Sequence, residues 1–232
     1  MIYQHSTMGA LMSGALAGTM RIGDLLTHGN LGIGTLADLD GEVIILDGEA
    51  YHADASGQFR RISDDEMTPY ATVTPFEPDR IFGVEDHLNF HHMADALVSH
   101  MRSKELFSAI KITGQFKKMR VRMIPKQQPP YGRLIESAKN QPEFEQNDVH
   151  GTIVGFYTPE LFQGVSVSGF HLHFIDDDRT FGGHVLDFDI TGALVELSDA
   201  ENVEIHFPKH DENYLNTTID YATLNDDIQY SE

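Results

Sequence analysis

The chain of 232 residues contains no cysteine. Disulfides, iron–sulfur clusters, thiolate zinc sites and cysteine nucleophiles are therefore excluded. Positive charge is scarce: 16 Lys and Arg stand against 36 Asp and Glu, a formal net charge of −20. Nucleic acid and anionic membrane surfaces are poor partners for such a chain, because its overall field repels phosphate. The acidity itself reads as solubility. No apolar run approaches the roughly 20 residues of a membrane-spanning helix. No Lys or Arg precedes Arg21, so the positive n-region of a secretory signal is missing and a cytoplasmic location is expected. Hydrophobic residues make up 41%, ordinary for a globular protein with a core.

Histidine is plentiful, with 13 in the chain. The informative group is His171-Leu172-His173 with His184. Two histidines at i and i+2 of a β-strand project from the same face. Residues 166–175 alternate as a strand does. The polar run Asp176 to Gly183 ends in a glycine pair and reads as a turn, and His184 to Ile190 alternates again. A hairpin centred near Asp178-Arg179 puts His173 opposite His184. Opposite residues share a face, with Cβ atoms about 4.5–5.5 Å apart. Three neutral imidazoles without a thiolate suit Zn²⁺ or another borderline divalent cation, and leave a coordination position open. An open position is what a catalytic metal needs. His87, His91 and His92 also offer an i,i+4 pair, but their segment reads as an ordinary amphipathic helix start.

The remaining chain is mixed, with β dominant. Residues 6–28 read as two helical pieces, the first capped by Ser6 or Thr7 and interrupted at Gly18. Leu39 to His52 reads as short strands punctuated by Asp-Gly, a hairpin signal. Phe59 to Ile62 and Tyr70 to Thr74 are further strands. The spacing of Leu88, Met93, Leu97, Met101 and Phe107 predicts one helix over 84–107. Phe107 to Met123 reads as two strands broken at Gly114. The Pro- and Gln-rich run Pro125 to Tyr131 is a domain boundary or an active-site loop. Strands resume from Val149 to Phe207. The polar tail, Asn213 to Glu232, offers Ile219, Tyr221, Leu224, Ile228 and Tyr230 for packing.

Lys117, Lys118, Arg120, Arg122 and Lys126 form the dense basic stretch of this acidic chain. Arg120 and Arg122 share a strand face. Their planar forks suit a carboxylate, so the stretch is either a solvated face or an anion clamp for an acidic substrate. The glycines of Leu31 to Leu36 are no dinucleotide fingerprint, because no helix pattern follows. Glu42, after Asp40-Gly41, is either exposed at a turn or directed inward.

Taken together, the chain resembles the α-acetolactate decarboxylase family. The resemblance runs through Tyr3-Gln4-His5-Ser6-Thr7, Gly32-Ile33-Gly34-Thr35, Leu39-Asp40-Gly41-Glu42 and Thr68-Pro69-Tyr70-Ala71. It continues through Ala109-Ile110-Lys111-Ile112-Thr113-Gly114-Gln115-Phe116 and Pro125-Lys126-Gln127. It ends with Gly169-Phe170-His171-Leu172-His173-Phe174 and Gly182-Gly183-His184-Val185. The resemblance implies an α+β fold: an N-terminal mixed β-sheet unit with helices (1–130) and a smaller C-terminal β-barrel (131–232), paired as a homodimer. It implies zinc, or another divalent transition metal, on His171, His173 and His184. Thr35, Glu42 and Arg122 match the family's polar active-site residues, and Glu232 matches a further glutamate near its C-terminus. The implied reaction is decarboxylation of 2-acetolactate to acetoin and CO₂.

Two other classes compete. Cupin-type barrels also carry His-x-His, and many are Fe²⁺ oxygenases or sugar-binding modules. Asp177, four residues after His173, stands where they place an acidic ligand, although their last histidine lies further downstream. Oxygen consumption distinguishes that reading from CO₂ release. A small-acid-binding or metal-storage module requires a metal saturated by four protein ligands.

Overall fold

The structure is a computed structural model and describes residues 1–132 and 141–231. Strands dominate it, as the alternating sequence predicts. In chain order they are β1 (Ile2–His5), β2 (Met20–Arg21), β3 (Leu31–Leu36), β4 (Asp40–Leu46), β5 (Glu49–Ala53), β6 (Phe59–Arg61), β7 (Met67–Thr68) and β8 (Tyr70–Thr74). There follow β9 (Arg80–Val84), β10 (Leu88–Asn89), β11 (Ser108–Arg122), β12 (Glu143–Thr158), β13 (Gly169–Asp176), β14 (Gly182–Asp199) and β15 (Val203–His206).

The first sheet is mixed and ordered β15-β1-β8-β3-β4-β5-β6. Its one parallel pair is β1 with β15. A small ribbon joins β2 to β7. In the second sheet the order is β10-β14-β11-β12-β13, with β9 also on β14. Strand β14 pairs with β13 as well, so β14, β11, β12 and β13 are joined in a ring. Strand membership cuts across residue 130: β9, β10 and β11 precede it in the second sheet, and β15 follows it in the first.

Local chemistry explains several departures from the sequence pattern. Asp47 (φ 54°) and Gly48 (φ 81°) are both left-handed and close the β4–β5 hairpin, as the primed turns favoured in hairpins require. The other Asp-Gly is no hairpin. Gly41 (φ 62°) lies inside β4, beside the register shift that separates Gly34 from Leu36 on β3. Gly114 does not break its strand: β11 runs unbroken to Arg122. A Cβ there would lie 2.2 Å from the Gly192 carbonyl, so close approach of β14, and not a turn, is what needs glycine.

The helix expected over 84–107 is confined to Phe90–His100. Asn89 caps it by accepting from the His92 N–H, and Val84 and Leu88 belong instead to β9 and β10. Of the two helical pieces near the N-terminus, Met8–Met12 is capped by Thr7 and Ile22–Leu26 follows β2 directly. In the tail, Leu224 and Ile228 of the helix Leu224–Ser231 pack on Met8, Leu11 and Met12, with Ile219 alongside. Tyr221 stays exposed.

One apolar core joins the sheets. Ile33 and Ile44 of the first sheet cluster with Phe116, Phe174 and Phe188 of the second. Phe116 meets Phe174 and Phe188 edge-on, at centroid distances of 5.1 and 5.6 Å. Such pairs add about 0.5–1.5 kcal/mol each beyond their buried area. This packing brings β4 against β13 and β14, and the candidate site lies at that junction.

Candidate active site

Register places most of the site. His173 on β13 stands opposite His184 on β14, the hairpin pairing predicted from the sequence. On its other side β14 pairs with β11, and there His184 stands opposite Arg122. Because opposite residues share a sheet face, Arg122, His184 and His173 form a row across three strands. His171 joins from the same face of β13. The three ring centroids lie 5.0–5.5 Å apart. One nitrogen from each ring lies within 4.8 Å of the others. Among the described residues this is the one group of three or more metal-ligating side chains close enough to share an ion.

Burial sets the charge state. His171 is pushed down to about 3, first by burial and then by the Arg122 charge. His173 is held well below the ordinary imidazole range, first by burial and then by His171. Both rings are thus neutral at pH 7. The Nδ1–H of His173 donates to the Val43 carbonyl at 2.9 Å. Its Nε2 is buried and makes no hydrogen bond. Two neutral imidazoles, one of them with a buried, unsatisfied lone pair, beside the third ring of His184 fit a divalent cation.

Glu42 reaches the triad from the first sheet. Its Oε1 accepts from the Ile124 N–H at 3.2 Å, and its Oε2 stands 3.4 Å from His173 Nε2. Arg122 donates to His184 Nε2 at 3.2 Å. A guanidinium has no acceptor, so that nitrogen of His184 carries a lone pair. Thr35 donates its hydroxyl to the Gly41 carbonyl at 2.7 Å, tying β3 to the bulge that precedes Glu42.

A cavity opens beside these groups. Thr35, Glu42, Arg122, His171 and His184 form its polar wall, and Met8, Leu11, Leu39 and Ile124 its apolar wall. Five of the sequence-derived site residues therefore line one space, and His173 backs it. Glu232 lies outside the described residues. Sequence reasoning missed Gln141 and the apolar wall. Gln141 sits where β12 begins, and no pattern marked it. Met8 and Leu11 fall in a stretch read only as helical.

Other candidates fall away from the site. Asp177, the acidic ligand of the cupin reading, is exposed and holds His150 Nδ1 at 2.7 Å. His87 and His91 are exposed and face Asp189 and Asp95.

Comparison with known proteins places this arrangement. A family model described as Alpha-acetolactate decarboxylase matches residues 2–221. The alpha-acetolactate decarboxylase of Lactococcus lactis subsp. lactis is 46% identical over 231 residues, covering 100% of this chain and 98% of that protein. A crystal structure from Staphylococcus aureus, of a protein of unknown function similar to alpha-acetolactate decarboxylase, superposes with a TM-score of 0.97. It is 49% identical and covers 100% of this chain and 99% of that one. The alpha-acetolactate decarboxylase of Bacillus subtilis strain 168 superposes at 0.96 with 36% identity, covering 100% of this chain and 98% of that one. With a family match over nearly its whole length and near-identical backbones at both ends of that identity range, the chain belongs to the alpha-acetolactate decarboxylase family.

Proposed function

We infer that this chain decarboxylates 2-acetolactate to acetoin and CO₂ in the cavity beside the histidine triad. The supporting observation is the convergence of three imidazoles, one carboxylate and one guanidinium on a single space in a member of this family. His171, His173 and His184 would hold the metal. Zn²⁺ suits their donor set, as would another borderline divalent cation. When bound, such a cation supplies a Lewis acid that draws electron density toward the substrate's keto oxygen.

The substrate anion carries a carboxylate, a tertiary hydroxyl, a ketone and two methyl groups. Arg122 offers a planar fork to the carboxylate. Met8, Leu11, Leu39 and Ile124 face the methyl groups and exclude water. The bond between the carboxylate carbon and C2 breaks, and its electron pair moves through C2 toward the keto oxygen, giving an enediolate. CO₂ leaves, and one proton taken up at C2 completes acetoin. Glu42 takes the hydroxyl proton as the bond breaks and returns it to the same oxygen, so that the proton gained at C2 is the one net proton taken up. Its Oε1 is fixed by the Ile124 N–H, which leaves Oε2 turned toward His173. We read the ring of β11 to β14 as the small barrel that carries this site.

The test is direct. Metal-loaded protein incubated with 2-acetolactate should release CO₂ and acetoin in equal amounts, without consuming oxygen. Chelator should stop the reaction and Zn²⁺ restore it. A metal-loaded, folded protein that leaves 2-acetolactate unchanged would end this reading.

A further inference from the structure

The backbone between Thr35 and Glu42 is strained. Asp38 (φ 66°) and Leu39 (φ 59°) are consecutive left-handed residues, and Gly41 (φ 62°) is left-handed too. Glycine takes that conformation freely. Side-chain-bearing residues do so at a cost, and usually singly. Such strain persists only where the surroundings over-determine it, and it gathers at functional sites. Here the two flanking residues both line the cavity, and so does Leu39 itself.

What holds the turn is the strap that leaves β11. The Ile124 carbonyl accepts from Gly41 N–H at 3.1 Å, and Ile124 N–H donates to the Glu42 carboxylate. Gln127 N–H donates to the Asp38 carbonyl at 2.7 Å. Between those anchors stands Lys126. Its ammonium reaches Asp38 Oδ2 at 3.3 Å and Asp40 Oδ2 at 3.2 Å. The Tyr131 hydroxyl donates to the other oxygen of Asp38, and His52 donates to the Asp40 carbonyl at 2.8 Å. Asp38, Asp40 and Glu42 put three carboxylates within five residues. Lys126 is the cation that bridges two of them.

We propose that Lys126 is a positioning residue for Glu42: by bridging Asp38 and Asp40 it holds the left-handed turn that fixes where the Glu42 carboxylate stands. The effect on turnover rests on the catalytic reading of Glu42 given above. The effect on the turn does not. Lys126 is half-exposed, so water screens the pair and the expected effect is several-fold, not a thousand-fold.

The test compares wild type, Lys126→Met and Lys126→Arg as full chains. Hydrogen–deuterium exchange is followed over residues 38–42 in metal-free protein, and kcat and KM are measured in metal-loaded protein. Lys126→Met should speed exchange of the turn and lower kcat about 5- to 10-fold, with KM within about 2-fold and metal content unchanged. Lys126→Arg should restore both. Lys126→Gln serves if the methionine variant folds poorly. Unchanged exchange, or faster exchange with unchanged kcat, would overturn the proposal. If wild type itself releases no CO₂, the catalytic reading fails, and exchange alone still decides whether Lys126 holds the turn.

Discussion

The Nδ1–H of His173 donates to the backbone carbonyl of Val43, 2.9 Å away on a strand of the other sheet. That bond fixes the tautomer, so Nε2 carries the lone pair. Nε2 is buried without a hydrogen-bond partner. Leaving such a group unsatisfied costs about 1–3 kcal/mol, and a cation there recovers it. One backbone carbonyl thus links the packing of the sheets to the orientation of the His173 ring.

Metal should therefore stabilise the fold through this ring. Free metal at about 100 times its dissociation constant contributes about 2.7 kcal/mol, which raises Tm by about 5–10 °C in a chain of this size. His173→Ala should bind no stoichiometric metal and show no such rise. Elemental analysis and calorimetry with and without Zn²⁺ check both. A His173→Ala protein that keeps one metal per chain would remove the triad as the site.

Glu42 holds one oxygen on a backbone N–H and keeps the other beside His173. Glu42→Gln preserves shape and removes proton-transfer capacity. Turnover of 2-acetolactate should fall about 100- to 10,000-fold, the usual range for a general acid–base group, with metal content preserved. A kcat within a few-fold of wild type would take the proton role from Glu42.

Arg122 stands opposite His184 across one pair of strands and offers a planar fork. Lysine keeps the charge and loses the fork. Arg122→Lys should lower kcat/KM about 30- to 100-fold, the equivalent of roughly 2–3 kcal/mol of charge-assisted hydrogen bonding. Steady-state kinetics on 2-acetolactate reads this. A near-wild-type value would mean that only charge matters at that position.

How much of this was legible depended on sequence distance. His173 opposite His184 could be read from parity, because a short turn joins their strands. Arg122 opposite His184 could not: the two strands are separated by β12 and β13, and no local pattern encodes their register. Glu42 was ambiguous for the same reason, since the groups that orient it come from Ile124 and from the second sheet. The over-long helix had a different cause. Apolar spacing over 84–107 satisfied a helical period, yet Val84 and Leu88 face a β14 neighbour that exists only after folding. Asp38 and Leu39 carry no sequence signal for their left-handed backbone, because the strap that imposes it arrives from the far end of β11.

A last prediction concerns His5, which is fully buried on β1 beside β15. Its Nδ1 lies 2.9 Å from Nδ1 of His206, and its Nε2 lies 2.7 Å from the Thr19 hydroxyl. Burial first, and the neighbouring His206 second, pushes it down to about 4. Well above pH 6.5 this residue is neutral in both folded and unfolded chains, and its contribution is flat. From pH 6.5 down to about 4 the unfolded chain alone binds the proton, so stability falls as pH falls. Between pH 7.5 and 5 the loss from His5 amounts to about 2 kcal/mol. Many carboxylates titrate nearby, so the measurable quantity is a difference. Urea unfolding of wild type and His5→Gln at both pH values should show the wild type losing about 2 kcal/mol more than the variant. Equal losses would mean that His5 takes its proton as readily inside the fold as outside it.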